Sequence, residues 1–109
     1  MPLPIYFTQS AERDLAGIYD YIAEHDSLTN ANQLLRQLQD LVNSLSENPE
    51  RGTYPKELVD IGMREYRQVY FKPYRIIYRS FNQQILIYLI ADGRRDMKAL
   101  LERRLLTSY

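Results

Sequence analysis

The sequence contains no cysteine and no tryptophan, and it has a single histidine, His25. Without cysteine there is no disulfide framework, no thiolate chemistry and no cysteine-based zinc site. His25 lies in the polar run Glu24-His25-Asp26. It reads as an exposed loop residue around which no Ser/His/Asp relay or multi-histidine metal site assembles. The four glycines (Gly17, Gly52, Gly62, Gly93) are scattered, so there is no glycine-rich phosphate loop. Gly17, inside a helical stretch, is expected to permit close packing. No run of about 18 apolar residues is present, which leaves no candidate membrane-spanning helix. The opening Met1-Pro2-Leu3-Pro4 has neither a basic n-region nor an apolar signal stretch. These absences lead us to expect a cytoplasmic protein with no metal, no cofactor and no membrane partner.

What is present suits one domain spanning residues 1–109, with 45% hydrophobic and 26% charged residues, enough apolar material for a core. The formal net charge of zero hides a division. Residues 1–62 carry ten acids against four bases, and residues 63–109 carry ten bases against four acids. Segregated charge creates a local field although the total is neutral. Eight of the ten late bases are arginine, whose planar fork suits phosphate or carboxylate. The simpler alternative is that the two halves attract each other across the fold.

Hydrophobic spacing supplies the elements. Leu3 to Phe7 reads as a first strand. Thr8 or Ser10 can cap a helix whose apolar face is Ala11, Leu15, Ile18, Tyr19 and Ile22. Ser27 or Thr29 can cap a second, with Ala31, Leu34, Leu35, Leu38, Leu41, Val42 and Leu45 as its stripe. Together they make a helical hairpin. Asn48 to Gly62 is punctuated by proline and glycine and reads as loop, with a short strand expected near Glu57–Val59. The period then changes to two. Arg64–Phe71, Tyr74–Phe81 and Gln84–Ala91, joined by Lys72-Pro73 and Asn82-Gln83, predict a three-stranded antiparallel meander. A last helix from about Arg95 carries Met97, Leu100, Leu101 and Leu105. The fold class is α+β: an N-terminal strand and helical hairpin on a mainly antiparallel three- to four-stranded sheet, with a C-terminal helix. The other face of the sheet is expected to be open or half open.

On the middle strand, Arg75 and Arg79 alternate with Tyr74, Ile76 and Tyr78, so both arginines share one face. Arg94 and Arg95 stand before the last helix, whose free N–H groups favour anions. With Arg64 and Arg67 these four arginines form the candidate binding set, expected to converge on one anion-binding surface. Tyr66, Tyr70, Tyr74, Tyr78 and Tyr88 lie in the same segment. Aromatics among cations suit single-stranded nucleic acid, although tyrosine is also a good strand former and packs on sheets. Glu65 and Asp96 flank the arginines and read as salt-bridge partners.

Five segments in order resemble one family: FTQSAERDLAGIYDYI, then NPERG, then Arg64-Glu65, then YRIIYR, then ADGRRDMKALL. They resemble the ParE-type branch of the RelE/ParE toxins, from about Tyr6 to Leu101. The resemblance implies the toxin of a type II toxin–antitoxin pair, of the kind used in plasmid stabilisation. It also implies a cognate antitoxin that wraps around the toxin in a hetero-oligomeric complex. Two activities occur in that superfamily. ParE-like members poison DNA gyrase by trapping the cleaved DNA complex, whereas RelE-like members enter the ribosome and cleave mRNA through the ribose 2′-OH. By the same resemblance Arg75 and Arg95 fall at the nuclease arginine positions, while Leu101 occupies the position of a proton-transferring tyrosine. Arginine holds charge but transfers protons poorly at neutral pH. The expectation is therefore a gyrase inhibitor rather than an enzyme, with a ribosome-dependent mRNA endonuclease as the alternative. A decayed toxin that only binds its antitoxin is a third reading.

Overall fold

The computed structural model of the chain describes residues 2–106. The apolar start of the sequence pairs only over β1 (Ile5–Phe7) before Thr8 turns the chain into helix α1 (Gln9–His25). Thr8 caps it, its Oγ1 accepting from the Ala11 N–H at 3.0 Å. Ser27 does the same for helix α2 (Leu28–Ser44), accepting from the Asn30 N–H at 3.0 Å. In each case a side-chain oxygen satisfies a backbone donor that the helix leaves free. The two helices form the expected hairpin, and Tyr19 Oη donates across it to Asn32 Oδ1 at 2.7 Å.

The meander follows as strands β2 (Arg67–Phe71), β3 (Tyr74–Phe81) and β4 (Gln84–Asp92), joined by two-residue turns. At the second turn Asn82 and Gln83 both have positive φ, 51° and 59°, as a type I′ hairpin requires. Asparagine tolerates that region, whereas glutamine is strained there. Gln83→Gly is thus expected to stabilise the fold by about 1 kcal/mol, read as a higher denaturation midpoint in urea. An unchanged or lower midpoint would contradict this. The sheet order is β1-β4-β3-β2, with β1 parallel to β4 and the meander antiparallel.

Between Ile77 and Tyr78 the β3–β4 register shifts: Ile77 faces Leu89 and Tyr78 faces Ile87, leaving Tyr88 as an extra residue on β4. A bulge of this kind reverses the alternation beyond it. Ile85, Ile87 and Ile90 accordingly point to the helical hairpin with Ile76, Tyr78, Leu38 and Val42. Leu89 and Ala91 point the other way with Ile77.

That second face is not open. Leu58, Tyr66, Met97, Leu100 and Leu101 pack on it as a second core, Leu58 being 1% and Leu101 0% exposed. The expected strand near Glu57–Val59 is instead helix α3 (Lys56–Val59), started by Pro55. Pro55 is the N-cap, its backbone extended (φ −62°, ψ 127°), and its carbonyl accepts from the Leu58 and Val59 N–H groups at 3.1 and 3.0 Å. Only a single bridge, Thr53 to Gln68, extends the sheet there. Helix α4 (Met97–Leu101) and a π-helical turn (Glu102–Leu106) complete the cover. Gly17 is likewise not a packing residue: a Cβ there would find no heavy atom within 4 Å. No helix among the described residues is long and apolar enough to cross a membrane.

Candidate functional site

The meander arranges the six candidate arginines in different environments. Arg75, near the start of β3, lies flat on the second sheet face with 8% of its side chain exposed. Its guanidinium donates to Glu57 Oε2 at 2.9 Å and Oε1 at 2.8 Å. Its Nε donates to Gln68 Oε1 at 2.8 Å, and Nη2 reaches the same oxygen. Gln68 Nε2 in turn donates to Tyr70 Oη at 3.2 Å. Gly93 makes room for this side chain, since a Cβ there would sit 2.9 Å from Arg75 Cδ. The hydrogen bonds from Arg75 hold the Glu57 carboxyl below its usual range, against the opposing effect of burial. The Glu57 contacts likewise raise the Arg75 pKa.

A depressed carboxylate contributes stability above its unfolded pKa and loses it as pH falls. Stability is therefore expected to decline as pH drops below about 4.5, the unperturbed Glu57 value. Glu57→Gln should flatten that part of the urea-midpoint profile. An identical acid slope in the variant would remove Glu57 as its source.

Arg67 and Arg64 meet at Tyr54. Arg67 Nη1 donates to the Gly52 carbonyl at 2.8 Å and Nη2 to Tyr54 Oη at 3.1 Å. The Arg67 and Arg64 guanidiniums stand 4.5 Å and 5.7 Å from the Tyr54 ring centre, within cation–π range. Tyr78 anchors the loop that carries these partners. Buried in the first core, it donates to the Pro49 carbonyl at 2.8 Å and accepts from the Gly52 N–H at 3.0 Å. Burial pushes its phenol above the ordinary tyrosine range. Arg79, four residues and so about 13 Å along β3 from Arg75, lies 4.5 Å over Phe81.

After β4, Arg94 forms a two-pronged pair with Asp92, Nε to Oδ1 at 2.9 Å and Nη2 to Oδ2 at 2.5 Å. The Arg94 side-chain and backbone donors depress Asp92 to about 2. Arg95 is exposed and makes no ion pair among the described residues. The anticipated free helix N-terminus beside them is closed, because Asp96 Oδ1 caps α4 by accepting from the Ala99 N–H at 3.1 Å. Asp96 is therefore a cap rather than an arginine partner, and Glu65 accepts the Arg64 backbone N–H at 3.1 Å instead of pairing with a guanidinium. The six arginines thus occupy separate places: Arg64 and Arg67 at Tyr54, Arg75 turned inward, Arg79 towards the far end of β3, Arg94 and Arg95 after β4.

Sequence reasoning passed over Glu57, Gln68, Tyr54 and an ion pair between distant segments. Asp14 of α1 and Arg104 of the π-helical turn bond at 3.0 and 2.5 Å. Asp14 Oδ2 also accepts the Ile90 N–H at 3.1 Å, and Arg104 donates to the Tyr88 carbonyl at 3.2 Å. The pair closes the stretch of the β4 edge that β1 leaves unpaired. Its only sequence signal was the charge division between the halves. Two of the three ion pairs among the described residues, Asp14–Arg104 and Glu57–Arg75, do cross that division. His25 ends α1 rather than lying in a loop, stacked on the exposed Tyr21 with ring centres 4.2 Å apart.

A family model described as the ParE toxin of the type II toxin–antitoxin system parDE matches residues 5–97. The chain belongs to the ParE toxin family. Solved structures agree on the fold. A chain of the chromosomal ParDE toxin–antitoxin system from P. aeruginosa superposes with a TM-score of 0.70 at 20% identity, covering 83% of this chain and 95% of that one. A chain of the RelBE2 toxin–antitoxin complex from Mycobacterium tuberculosis gives 0.62 at 19% identity, covering 84% and 99%. An arginine-substituted mutant of E. coli toxin RelE in the free state gives 0.63 at 13% identity, covering 96% and 100%. No curated protein matches the sequence significantly. In this ParE-family chain the C-terminal helix turns Leu101 into the second core rather than towards solvent.

Proposed function

We propose that this toxin acts by binding DNA gyrase and holding it in its DNA-cleaved state, and that a cognate antitoxin neutralises it. The reading requires a cytoplasmic location. The observation that carries it is Leu101, 0% exposed within the second core, at the position where the nuclease branch was expected to place a proton-transferring side chain. Arg75, the strand arginine of that branch, is engaged by Glu57 and Gln68 and is not free to grip a phosphate. His25 sits at the end of α1, on an element outside the meander. Tyr66 and Tyr78 are buried with raised phenol pKa values, in each case chiefly by desolvation, which suits packing better than proton abstraction. Of the candidate residues, those left exposed are Arg64, Arg94 and Arg95, which bind and orient, together with Tyr70 at 55%.

Family membership supports the antitoxin as partner, as do the solved ParDE system and RelBE2 complex. An antitoxin segment that is acidic with apolar anchors fits Arg64 and Arg67 beside Tyr54 and the α2 side of the helical hairpin. The purified toxin, added to gyrase, supercoiled plasmid and ATP, is expected to yield linear DNA after denaturation of the enzyme. Absence of both cleavage and inhibition of supercoiling would end the reading. New 5′ ends on translated mRNA would move the protein to the endonuclease class.

A further inference from the structure

An interior glycine weakens a helix relative to alanine, and such a residue ordinarily admits a neighbouring element. At Gly17 no element approaches. One turn to either side, on the same stripe of α1, stand Arg13 and Tyr21, both exposed and Tyr21 to 60%. The three line an open cleft of about 670 Å³ between α1 and the end of β4. Tyr74 and Ile90 contribute apolar surface to it, and Arg95 stands on the rim. The cleft's two acids are already engaged, Asp14 by Arg104 and Asp92 by Arg94. Arg13 and Arg95 make no ion pair among the described residues. The result is an apolar floor with a bare helix backbone, under a cationic rim.

We propose that this cleft is where the toxin docks a short acidic segment of its target enzyme. An apolar side chain of that segment rests over Gly17 between Tyr21 and Tyr74, and flanking carboxylates meet Arg13 and Arg95. The inference rests on the gyrase reading above and specifies the surface that serves it. A nucleic acid strand fits less well, because the cleft offers two unpaired arginines over an apolar floor rather than a continuous cationic groove that tracks a phosphate backbone. A neutralising segment that wraps the toxin buries far more surface than a cleft of this size offers, for clefts of roughly 300–1,000 Å³ hold only a small apolar body. Gly17 therefore keeps the helix backbone accessible at a cost in helix propensity.

The test uses the full chain with gyrase holoenzyme, supercoiled plasmid and ATP, together with binding to the antitoxin encoded beside the toxin. Gly17→Ala, whose added methyl meets no protein atom, is expected to raise the thermal midpoint by roughly 4–8 °C, showing that position 17 is not a packing site. Gly17→Gln, which fills the cleft, and the double reversal Arg13→Glu with Arg95→Glu are expected to stay folded. Each should raise the toxin concentration needed for half-maximal linear DNA by on the order of tenfold, while antitoxin affinity changes less than about twofold. If wild type poisons gyrase and both cleft variants poison it equally well, the cleft assignment is overturned and the gyrase reading stands. If the variants poison normally but lose antitoxin affinity, the cleft belongs to the antitoxin and the proposal is equally overturned. If wild type leaves gyrase untouched, the underlying reading fails first.

Discussion

Arg75→Ala is expected to destabilise the fold by about 3 kcal/mol, an effect on folding that precedes any effect on activity. The substitution leaves Glu57 and the Gln68 carbonyl without their donors on a face where Arg75 is 8% exposed. The partial exposure of Glu57, 26% of its side chain, moderates the loss, since water can take up part of the carboxylate. Glu57→Ala should cost about 2 kcal/mol for the complementary reason. The double variant should cost less than the two singles together, by about 1–2 kcal/mol, because the groups share one network. Urea denaturation of the four proteins measures this directly. Strict additivity would show that the two residues act independently. Arg95→Ala provides the contrast: exposed and without an ion pair, it should shift stability by no more than about 0.5 kcal/mol. Loss of toxicity in Arg75→Ala is then a folding defect, whereas loss in Arg95→Ala reports on the working surface.

Asp14→Ala carries the second large effect, also about 3 kcal/mol. Its side chain is 12% exposed and that of Arg104 23%, so the pair is shielded more than a surface salt bridge. One substitution removes the partner of Arg104 and the acceptor of the Ile90 N–H together. It also uncovers backbone on β4, and an unprotected sheet edge invites association with other chains. Asp14→Asn should fall between, at about 1–2 kcal/mol, because an amide oxygen still accepts from Ile90 but no longer pairs with a charge. Native-state hydrogen exchange at the Ile90 amide should lose protection in the order wild type, Asp14→Asn, Asp14→Ala. Undiminished protection in Asp14→Ala would mean that the edge is closed by something other than this clamp.

Local chemistry made much of the fold legible. Thr8 and Ser27 cap their helices because a hydroxyl before an apolar stripe has a nearby free N–H to satisfy. The β3 span, and the two-residue turns at Lys72-Pro73 and Asn82-Gln83, follow from a period of two interrupted by turn residues. The Glu57–Val59 segment is ambiguous in the sequence because so short a run contains part of a helical turn or a short strand equally well, and the chain takes the helical turn Lys56–Val59 after Pro55.

The site was less legible. Arg75 and Arg79 share a face as the alternation requires, but alternation says nothing of what else reaches that face. Glu57 arrives from the short helix α3, 18 residues earlier in the chain, and turns one of the two arginines into part of the structure. Gly17 was read as a packing glycine because spacing shows where a residue points and not whether anything stands opposite.

The sequence by itself determined the types and order of the main elements, the charge division and the family, since these depend on neighbours within a few residues or on motifs in fixed succession. Only the tertiary structure decided that both faces of the sheet are covered. The reason is the bulge at Tyr88, which sends Leu89 and Ala91 to the face opposite Ile85 and Ile87. Tertiary contacts also decided which charges pair and which stay free. Pairing depends on a few ångströms between side chains as much as 90 residues apart, as for Asp14 and Arg104, a distance that no local pattern encodes.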